Sequence, residues 1–140
     1  MSASEGYADV REFPEGTRTA TDAAAAIGCD VAQIVKSLVF VRDGAAVLVL
    51  CSGANTVDAE ALGLEKADAD FVYRTTGMRI GGVAPYGWVT SPTDTLLDED
   101  LMAHGELWAA AGTPRAVFPL TPEELLERTG GRVTRVSPAS

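Results

Sequence analysis

Two nearly continuous apolar segments dominate the hydrophobic pattern of the chain. Residues 37–41 and 46–51 are rich in Val and Leu, and Arg42-Asp43-Gly44-Ala45 lies between them. The Asp-Gly pair is typical of a tight turn between antiparallel strands. Strands that lack polar alternation are buried on both faces, so the pattern predicts a hairpin at the centre of a covered sheet.

Helices are predicted where a capping residue precedes a helix-forming segment and a glycine follows it. The clearest start is Thr121-Pro122-Glu123-Glu124, which combines an N-cap, a proline at the first helical position and a capping-box glutamate. In the first predicted helix, Thr21 is the expected N-cap and Gly28 the expected end. The predicted helices cover residues 22–27, 31–35, 57–62, 68–75, 99–103 and 122–129.

Further strands are predicted over residues 78–80, 88–90, 95–97, 106–111, 115–118 and 133–136. Short strands, hairpins and scattered helices without a regular strand–helix–strand repeat are typical of the α+β class. With 140 residues, the chain is expected to form one domain over residues 1–140. Its first eleven residues are expected to be loosely ordered.

The net charge of −9 argues against non-specific binding along a nucleic-acid backbone, so no DNA partner is expected. It remains compatible with a local pocket that binds one end of a nucleic acid. Two cysteines, Cys29 and Cys51, in a chain without a signal peptide indicate the reducing cytoplasm rather than a disulfide scaffold. The apolar segments are too short to cross a bilayer, and no membrane partner is expected.

Several kinds of catalytic chemistry are disfavoured by the composition. His104 is the only histidine, so a Ser-His-Asp or Cys-His triad would have to use it, whereas its place near a helix end is more typical of a surface residue. The cysteine spacing matches no zinc site, and neither phosphate-binding glycine pattern occurs. No metal or other cofactor is therefore expected. A hydrolase of this kind would depend on positioning, on backbone donors and on a reactive substrate such as the ester of an aminoacyl-tRNA.

Lys36 and a glycine-rich loop are the strongest candidates for a site. Lys36 stands at the start of the first apolar strand, and Gly81-Gly82-Val83-Ala84-Pro85-Tyr86-Gly87 contains three glycines. A buried ammonium is costly unless it is paired, and a glycine-rich loop lets a ligand approach main-chain N–H groups. Together they predict a small pocket for an anionic or polar ligand. The alternatives are a lysine whose ammonium reaches water and an ordinary turn.

Several short motifs follow one another in a recognisable order. They are Val35-Lys36-Ser37-Leu38, Thr76-Gly77 followed by the 81–87 loop, Leu97-Asp98-Glu99, Ala111-Gly112 and the helix over 122–126. The first is similar to a signature lysine followed by Ser/Thr and Leu, and the second to a TG…GG-x-x-P-x-G pattern. In this order the motifs resemble the YbaK/prolyl-tRNA synthetase-associated editing family of aminoacyl-tRNA deacylases, over about residues 12–136.

The resemblance implies a mixed, mostly antiparallel sheet curled into a partial barrel with flanking helices. It also implies a freestanding hydrolase that deacylates mischarged tRNA, with a small amino acid on tRNA-Pro or a related tRNA as the expected substrate. In that case Lys36 would hold the phosphate of the terminal adenosine or nearby polar groups. Gly81 and Gly82 would offer N–H groups to the ester carbonyl, and these three are the predicted catalytic residues. The predicted substrate-binding residues are Ser37, Cys51, Ser52, Val83, Pro85, Gly87, Asp98 and Gly112.

The expected partner is the acceptor end of an aminoacyl-tRNA, with prolyl-tRNA synthetase or the elongation machinery as further candidates. Cys51 is more typical of a small core residue than of a nucleophile, because no base is evident for it. Many family members have a serine where this chain has Ala110, so the edited amino acid stays open among alanine, serine, cysteine and other small residues. Two other functions also stay open: a non-catalytic module that binds the acceptor end or a synthetase, and a small-molecule esterase.

Overall fold

The computed structural model describes residues 7–14, 16 and 19–138, which form a mixed sheet of eight strands and three α-helices. The strands are β1 (Arg11–Glu12), β2 (Ile34–Arg42), β3 (Ala45–Ser52), β4 (Glu65–Lys66), β5 (Asp94–Asp98), β6 (Leu107–Ala110), β7 (Ala116–Leu120) and β8 (Arg132–Thr134). The helices are α1 (Ala20–Ile27), α2 (Ala69–Thr76) and α3 (Pro122–Thr129), and 3-10 turns cover Val31–Gln33 and Glu99–Ala103.

The central hairpin of β2 and β3 is confirmed. The two strands pair antiparallel from Val35 opposite Ser52 to Arg42 opposite Ala45. Asp43 and Gly44 both have positive φ, at 53° and 77°, as a two-residue hairpin turn with the twist of the strands requires. From Ala46 onwards every residue of β3 is buried, which explains why its sequence shows no polar alternation.

The strand order is β1-β7-β6-β2-β3-β5-β8, and β4 pairs with β2 outside this path. The β2–β6, β3–β5 and β5–β8 pairs are parallel, and the other four pairs are antiparallel. The α+β class and the mixed, mostly antiparallel sheet are therefore confirmed, with a sheet that is not closed into a barrel. Helix α1 covers one face of the sheet through Ala23 and Ala24, which pack near Ile34, Trp108 and Val117.

The ends of α2 and α3 follow the predicted caps. Asp68 accepts a hydrogen bond from the Phe71 N–H and Thr121 accepts one from the Glu124 N–H, and Gly77 and Gly130 end the helices with positive φ. In α1 the predicted N-cap is wrong by two residues, because the Thr19 side chain rather than that of Thr21 accepts from the Asp22 N–H. A threonine two residues earlier caps an orphan N–H group of an earlier turn and lengthens the helix.

Three predicted elements are wrong. The predicted helix over residues 57–62 is absent and residues 59–63 form turns, because so short a segment closes few hydrogen bonds for the backbone order it requires. Residues 78–80 and 88–90 form no strands, because their backbone bonds to the end of α2: the Met78 N–H donates to Thr76 Oγ1, and the Thr90 N–H donates to Thr75 O. The expectation of loose order over residues 1–11 lies partly outside the described residues. Within them, the Tyr7 hydroxyl donates to Tyr86 O at 2.6 Å.

Candidate functional site

A gap in the sheet lies along one edge of β2. One edge of β2 is paired with β3 along its length. The other edge pairs with β6 only at Ile34 and Val35, and with β4 only at Phe40 and Val41. Residues 36–39 consequently have no strand partner on this edge within the described part of the chain. Alternate residues of a strand turn their N–H and C=O groups to a given edge, so the gap exposes main-chain hydrogen-bonding groups.

A cavity of about 330 Å³ occupies this gap. Successive strand residues point to opposite faces, yet residues of both faces line the cavity, so it extends between β2 and β6 instead of lying on one side of the sheet. Among the described lining residues, Lys36 is the one with a charged side chain. The lining residues are Thr19, Ala20, Ala23, Ile34, Val35, Lys36, Ser37, Leu38, Ile80, Gly81, Val83, Trp108, Ala109, Ala110 and Val117.

The ammonium group of Lys36 is hydrogen-bonded to the loop that follows β3. Its Nζ donates to the main-chain carbonyl of Asn55. An ammonium group has three donors, so this bond fixes its position and leaves two donors for a ligand. The Asn55 N–H donates in turn to Ser52 O, which ties the loop back to the end of β3. Lys36 is thus a pre-positioned cation at the edge of an apolar cavity.

Asp98 anchors the same loop from the neighbouring strand. Its side chain is 1% exposed, and one carboxylate oxygen accepts from the Ser52 N–H at 3.0 Å and from Asn55 Nδ2 at 2.9 Å. The other oxygen accepts from the Asp100 N–H at 3.0 Å. Asp98 does not line the cavity, and its predicted role in substrate binding stays a prediction. In the structure it positions Asn55, which in turn positions Lys36.

The 81–87 loop meets the cavity through Gly81 and Val83. Gly82 points elsewhere: a Cβ at this position would lie 2.5 Å from the carbonyl carbon of Thr113, so the residue allows the loop to pack against the turn between β6 and β7. The Gly82 N–H donates to Arg79 O at 2.9 Å. Donors to a ligand from this loop would therefore come from Gly81 or Val83, while Gly82 stays a predicted catalytic residue without a free N–H group.

The remaining loop residues lie away from the cavity lining. Pro85 is buried beside Ala84, whose carbonyl accepts from Trp88 Nε1 at 2.8 Å. Gly87 has a φ of 83° and lies against the Tyr7 hydroxyl. Gly112 has a φ of 99° in the turn between β6 and β7, where Ala111 and Ala116 are hydrogen-bonded. The structure thus separates residues that contact the cavity from residues that shape the segments around it.

The two serines near Lys36 differ in their contacts. Ser52 Oγ donates to Ala32 O at 2.8 Å and does not line the cavity, which gives it a structural bond. Ser37 lines the cavity, and its Oγ is buried without a hydrogen-bond partner within the described residues. Ala110, the position at which the family resemblance implies a serine, also lines the cavity.

Cys51 lies directly opposite Lys36 in the hairpin register and is fully buried among Val47, Val49 and Leu96. Burial raises the pKa of its thiol to about 12; Lys36 lowers this pKa and Asp98 raises it further. The thiol is therefore protonated at neutral pH, as expected for a core residue instead of a nucleophile.

Alkylation should distinguish the two cysteines. We expect iodoacetamide at pH 8 to label native protein at Cys29, whose side chain is partly exposed, and to leave Cys51 unmodified because its thiol is buried and neutral. Mass spectrometry of tryptic peptides measures the two sites separately. Labelling in concentrated urea is the control in which both should react, and equal labelling rates in the native protein would contradict the assignment.

Other chemistry finds little support in the described residues. None of their His, Cys, Asp and Glu side chains form a group of three or more that could hold a metal ion. His104 ends the 3-10 turn after β5, and its N–H donates to Leu101 O at 3.4 Å. No helix in the described part of the chain is long and apolar enough to cross a membrane.

Neither the contribution of α1 to the cavity lining nor the role of Asn55 could be identified from the sequence. The alanines at 20 and 23 carry no chemical signal by themselves, and they line the site because small side chains bring α1 close to the sheet. Asn55 was recognisable only as part of a polar loop after a strand. Its contribution comes through a main-chain oxygen, which every residue type has, so its identity alone could not reveal it.

Comparisons with known proteins agree with this architecture. Residues 14–128 match the sequence profile of a family described as "Aminoacyl-tRNA editing domain". The chain is 31% identical over 132 residues to the uncharacterized protein YwhH of Bacillus subtilis (strain 168), covering 89% of this chain and 83% of that protein.

Two of the matching solved structures illustrate the shared fold. The crystal structure of "a putative trans-editing enzyme for prolyl tRNA synthetase" superposes with a TM-score of 0.86 at 47% identity, covering 93% of this chain and 86% of that one. The crystal structure of hypothetical protein APE2540 superposes with a TM-score of 0.80 at 28% identity, covering 92% of this chain and 90% of that one. With the profile match spanning most of its length, the chain belongs to the YbaK family of aminoacyl-tRNA editing domains.

Proposed function

We propose that this protein is a freestanding trans-editing hydrolase that deacylates mischarged aminoacyl-tRNA. The observation that carries the proposal is the cavity in the sheet gap, which combines one fixed cation, Lys36, with apolar walls and open main-chain groups. Such a site suits the end of a charged tRNA, where a phosphate and an ester lie close to an uncharged side chain. Family membership and the solved trans-editing structure support the same assignment.

We infer that the amino acid removed is small and uncharged. Its described lining contains no carboxylate, so an α-ammonium group has no charge partner inside and would stay at the mouth. The amino-acid side chain would then enter between β2 and β6, against Ala109 and Ala110. A small amino acid attached to tRNA-Pro is the proposed substrate, with prolyl-tRNA synthetase as the enzyme whose errors it corrects and the cytoplasm as its location.

Hydrolysis would depend on positioning rather than on a protein base. Lys36 would hold the terminal nucleotide, and N–H groups of Gly81 or Val83 would stabilise the developing oxyanion of the ester. The vicinal ribose hydroxyl of the substrate would assist the attacking water. This division of work explains how a site without a histidine or carboxylate in its described lining can hydrolyse an activated ester.

The proposal is tested with a panel of tRNA-Pro charged with alanine, serine, cysteine or proline. We expect at least one small non-cognate ester to be released well above the rate in buffer, and prolyl-tRNA to be spared. The same amino acids as simple methyl esters form the control series. Release of every ester at the buffer rate would overturn the enzyme assignment in favour of a binding module, and equal release from methyl esters would favour a general esterase.

A further inference from the structure

The arginines of the described residues fall into two groups. Arg42 and Arg132 form ion pairs with Asp94, and Arg74 forms one with Asp70 at 2.8 Å. The other described arginines, Arg11, Arg79, Arg115, Arg128 and Arg135, form no ion pair with a described carboxylate. Among them, Arg79 is exposed and directly precedes Ile80, which lines the cavity. Its guanidinium lies 4.6 Å from the centroid of the Tyr73 ring. In a protein with a net charge of −9, an exposed arginine without an acidic partner is free to bind an anion.

Arg79 lies in an apolar patch at the edge of the cavity. Three of the five exposed large apolar side chains in the described residues are Tyr73, Ile80 and Val89, at 46%, 59% and 75% exposed. Val89 packs over Gly77 at the end of α2, close to Tyr73, and Ile80 follows Arg79 directly. Ile80 also lines the cavity, so the patch continues into the proposed active site.

We propose that this rim, formed by Tyr73, Arg79, Ile80 and Val89, binds the unpaired nucleotide that precedes the terminal adenosine of the tRNA. The proposal rests on the proposed function, because it takes the terminal aminoacyl-adenosine to be in the cavity. The Tyr73 ring holds the Arg79 guanidinium by a cation–π contact. The other face of the guanidinium offers a plane on which a base can stack, and the guanidinium N–H groups reach the adjoining phosphate. Ile80 and Val89 flank the base.

A single-stranded nucleic acid fits this surface better than a protein partner does. Guanidinium planes and aromatic rings are the usual stacking platforms for unpaired bases, and the contact requires no particular base. The patch is small and adjoins a cavity that would take the next residue of the same strand. A strand that enters over the patch therefore reaches the cavity without leaving the surface, and the rest of the acidic molecule can stay away from the tRNA.

The test compares substrates of increasing length: the aminoacyl ester of adenosine alone, of the trinucleotide CCA and of full tRNA. In the wild type, we expect kcat/KM to rise about 10-fold or more from adenosine to CCA, through stacking and one phosphate contact. Arg79→Gln and Tyr73→Ala should remove most of this gain and leave the adenosine ester unchanged. Arg79→Gln should also make kcat/KM for the longer substrates less dependent on salt. The expected decrease in the slope of log kcat/KM against log salt concentration is about 1, the value for one lost phosphate contact. Arg74→Gln is the matched control, since Arg74 is exposed on the helix that carries Tyr73 but is ion-paired with Asp70.

Each outcome either supports or overturns the binding of a nucleotide at this rim. Equal gains from adenosine to CCA in the wild type and in Arg79→Gln would overturn the proposal, as would equal losses on both substrates, which indicate damage to the cavity. If no ester is hydrolysed, the proposed function fails, and the rim is then tested by binding. The affinities of uncharged minihelices with and without the CCA end are measured. An affinity that depends on CCA and that Arg79→Gln abolishes supports the proposed rim, and an affinity that does not depend on CCA or on Arg79 overturns it. An effect seen only when prolyl-tRNA synthetase is present would assign the patch to a protein contact and likewise overturn the proposal.

Discussion

Lys36→Met should lower kcat/KM for deacylation by about 10- to 100-fold, the loss expected when one hydrogen bond to a charged group of the substrate is removed. The methionine keeps an apolar stem of similar length, so the packing of β2 against the cavity is maintained. What is removed is the cation that Asn55 holds at the edge of an otherwise uncharged described lining. Rates under single-turnover conditions with the best ester of the tRNA-Pro panel measure the effect.

A double-mutant cycle identifies which substrate group Lys36 binds. Aminoacyl esters of adenosine and of adenosine 5′-phosphate are compared in the wild type and in Lys36→Met. If Lys36 holds the phosphate, the phosphate should improve kcat/KM in the wild type alone. If it holds the ester or ribose instead, the loss should be equal for both substrates.

The chain supplies a matched control in its second lysine. Lys66 lies on the exposed strand β4, outside the cavity lining, so Lys66→Met should leave the rate unchanged. Thermal unfolding of both variants checks that the sheet is intact. Activity of Lys36→Met within about threefold of the wild type would contradict a positioning role, because a lost charged contact costs more than this.

The central hairpin could be predicted from the sequence because local signals agree there. Apolar segments, the Asp43-Gly44 turn and strand length all indicate the same structure, and the structure has it in the expected register. The helix starting at Thr121 is equally determined by neighbouring residues, since its capping bonds span only three positions. Lys36 and Gly81 could be singled out because their residue types are unusual in their local context.

The cavity itself could not be predicted in this way. It exists because β6 and β4 pair with different parts of one edge of β2 and leave residues 36–39 open between them. Strand pairing over such distances along the chain is decided by the packing of the whole sheet, and no local pattern encodes it. The same limit applies to residues 78–80, where apolar residues suggested a strand but hydrogen bonds to the end of α2 determine the path.

Asp98→Ala should lower the free energy of unfolding by about 3 kcal/mol, because it deletes a buried carboxylate that accepts three hydrogen bonds. The Ser52 N–H is left without an acceptor in a residue that is 1% exposed, and water does not replace the lost bond. Asn55 also loses one of the two carboxylates that accept from its side-chain amide. Urea unfolding followed by tryptophan fluorescence measures the change.

Two further variants separate the possible causes. Asp100→Ala removes one exposed acceptor of the Asn55 amide and should cost less than about 1 kcal/mol. Asp98→Asn keeps the shape and one carbonyl acceptor, so its cost should fall between the two. A loss below about 1 kcal/mol for Asp98→Ala would contradict the idea that this carboxylate supports the loop.

The same substitution also tests the connection from Asp98 through Asn55 to Lys36. If Asn55 holds the ammonium in place, Asp98→Ala should reduce kcat/KM at temperatures where the protein remains folded. If the double-mutant cycle assigns the phosphate to Lys36, Asp98→Ala should also weaken the discrimination between adenosine and adenosine 5′-phosphate esters, which a general loss of stability would leave unchanged. Reduced stability with full phosphate discrimination would show that Lys36 keeps its position without this support, and that Asp98 acts on the fold alone.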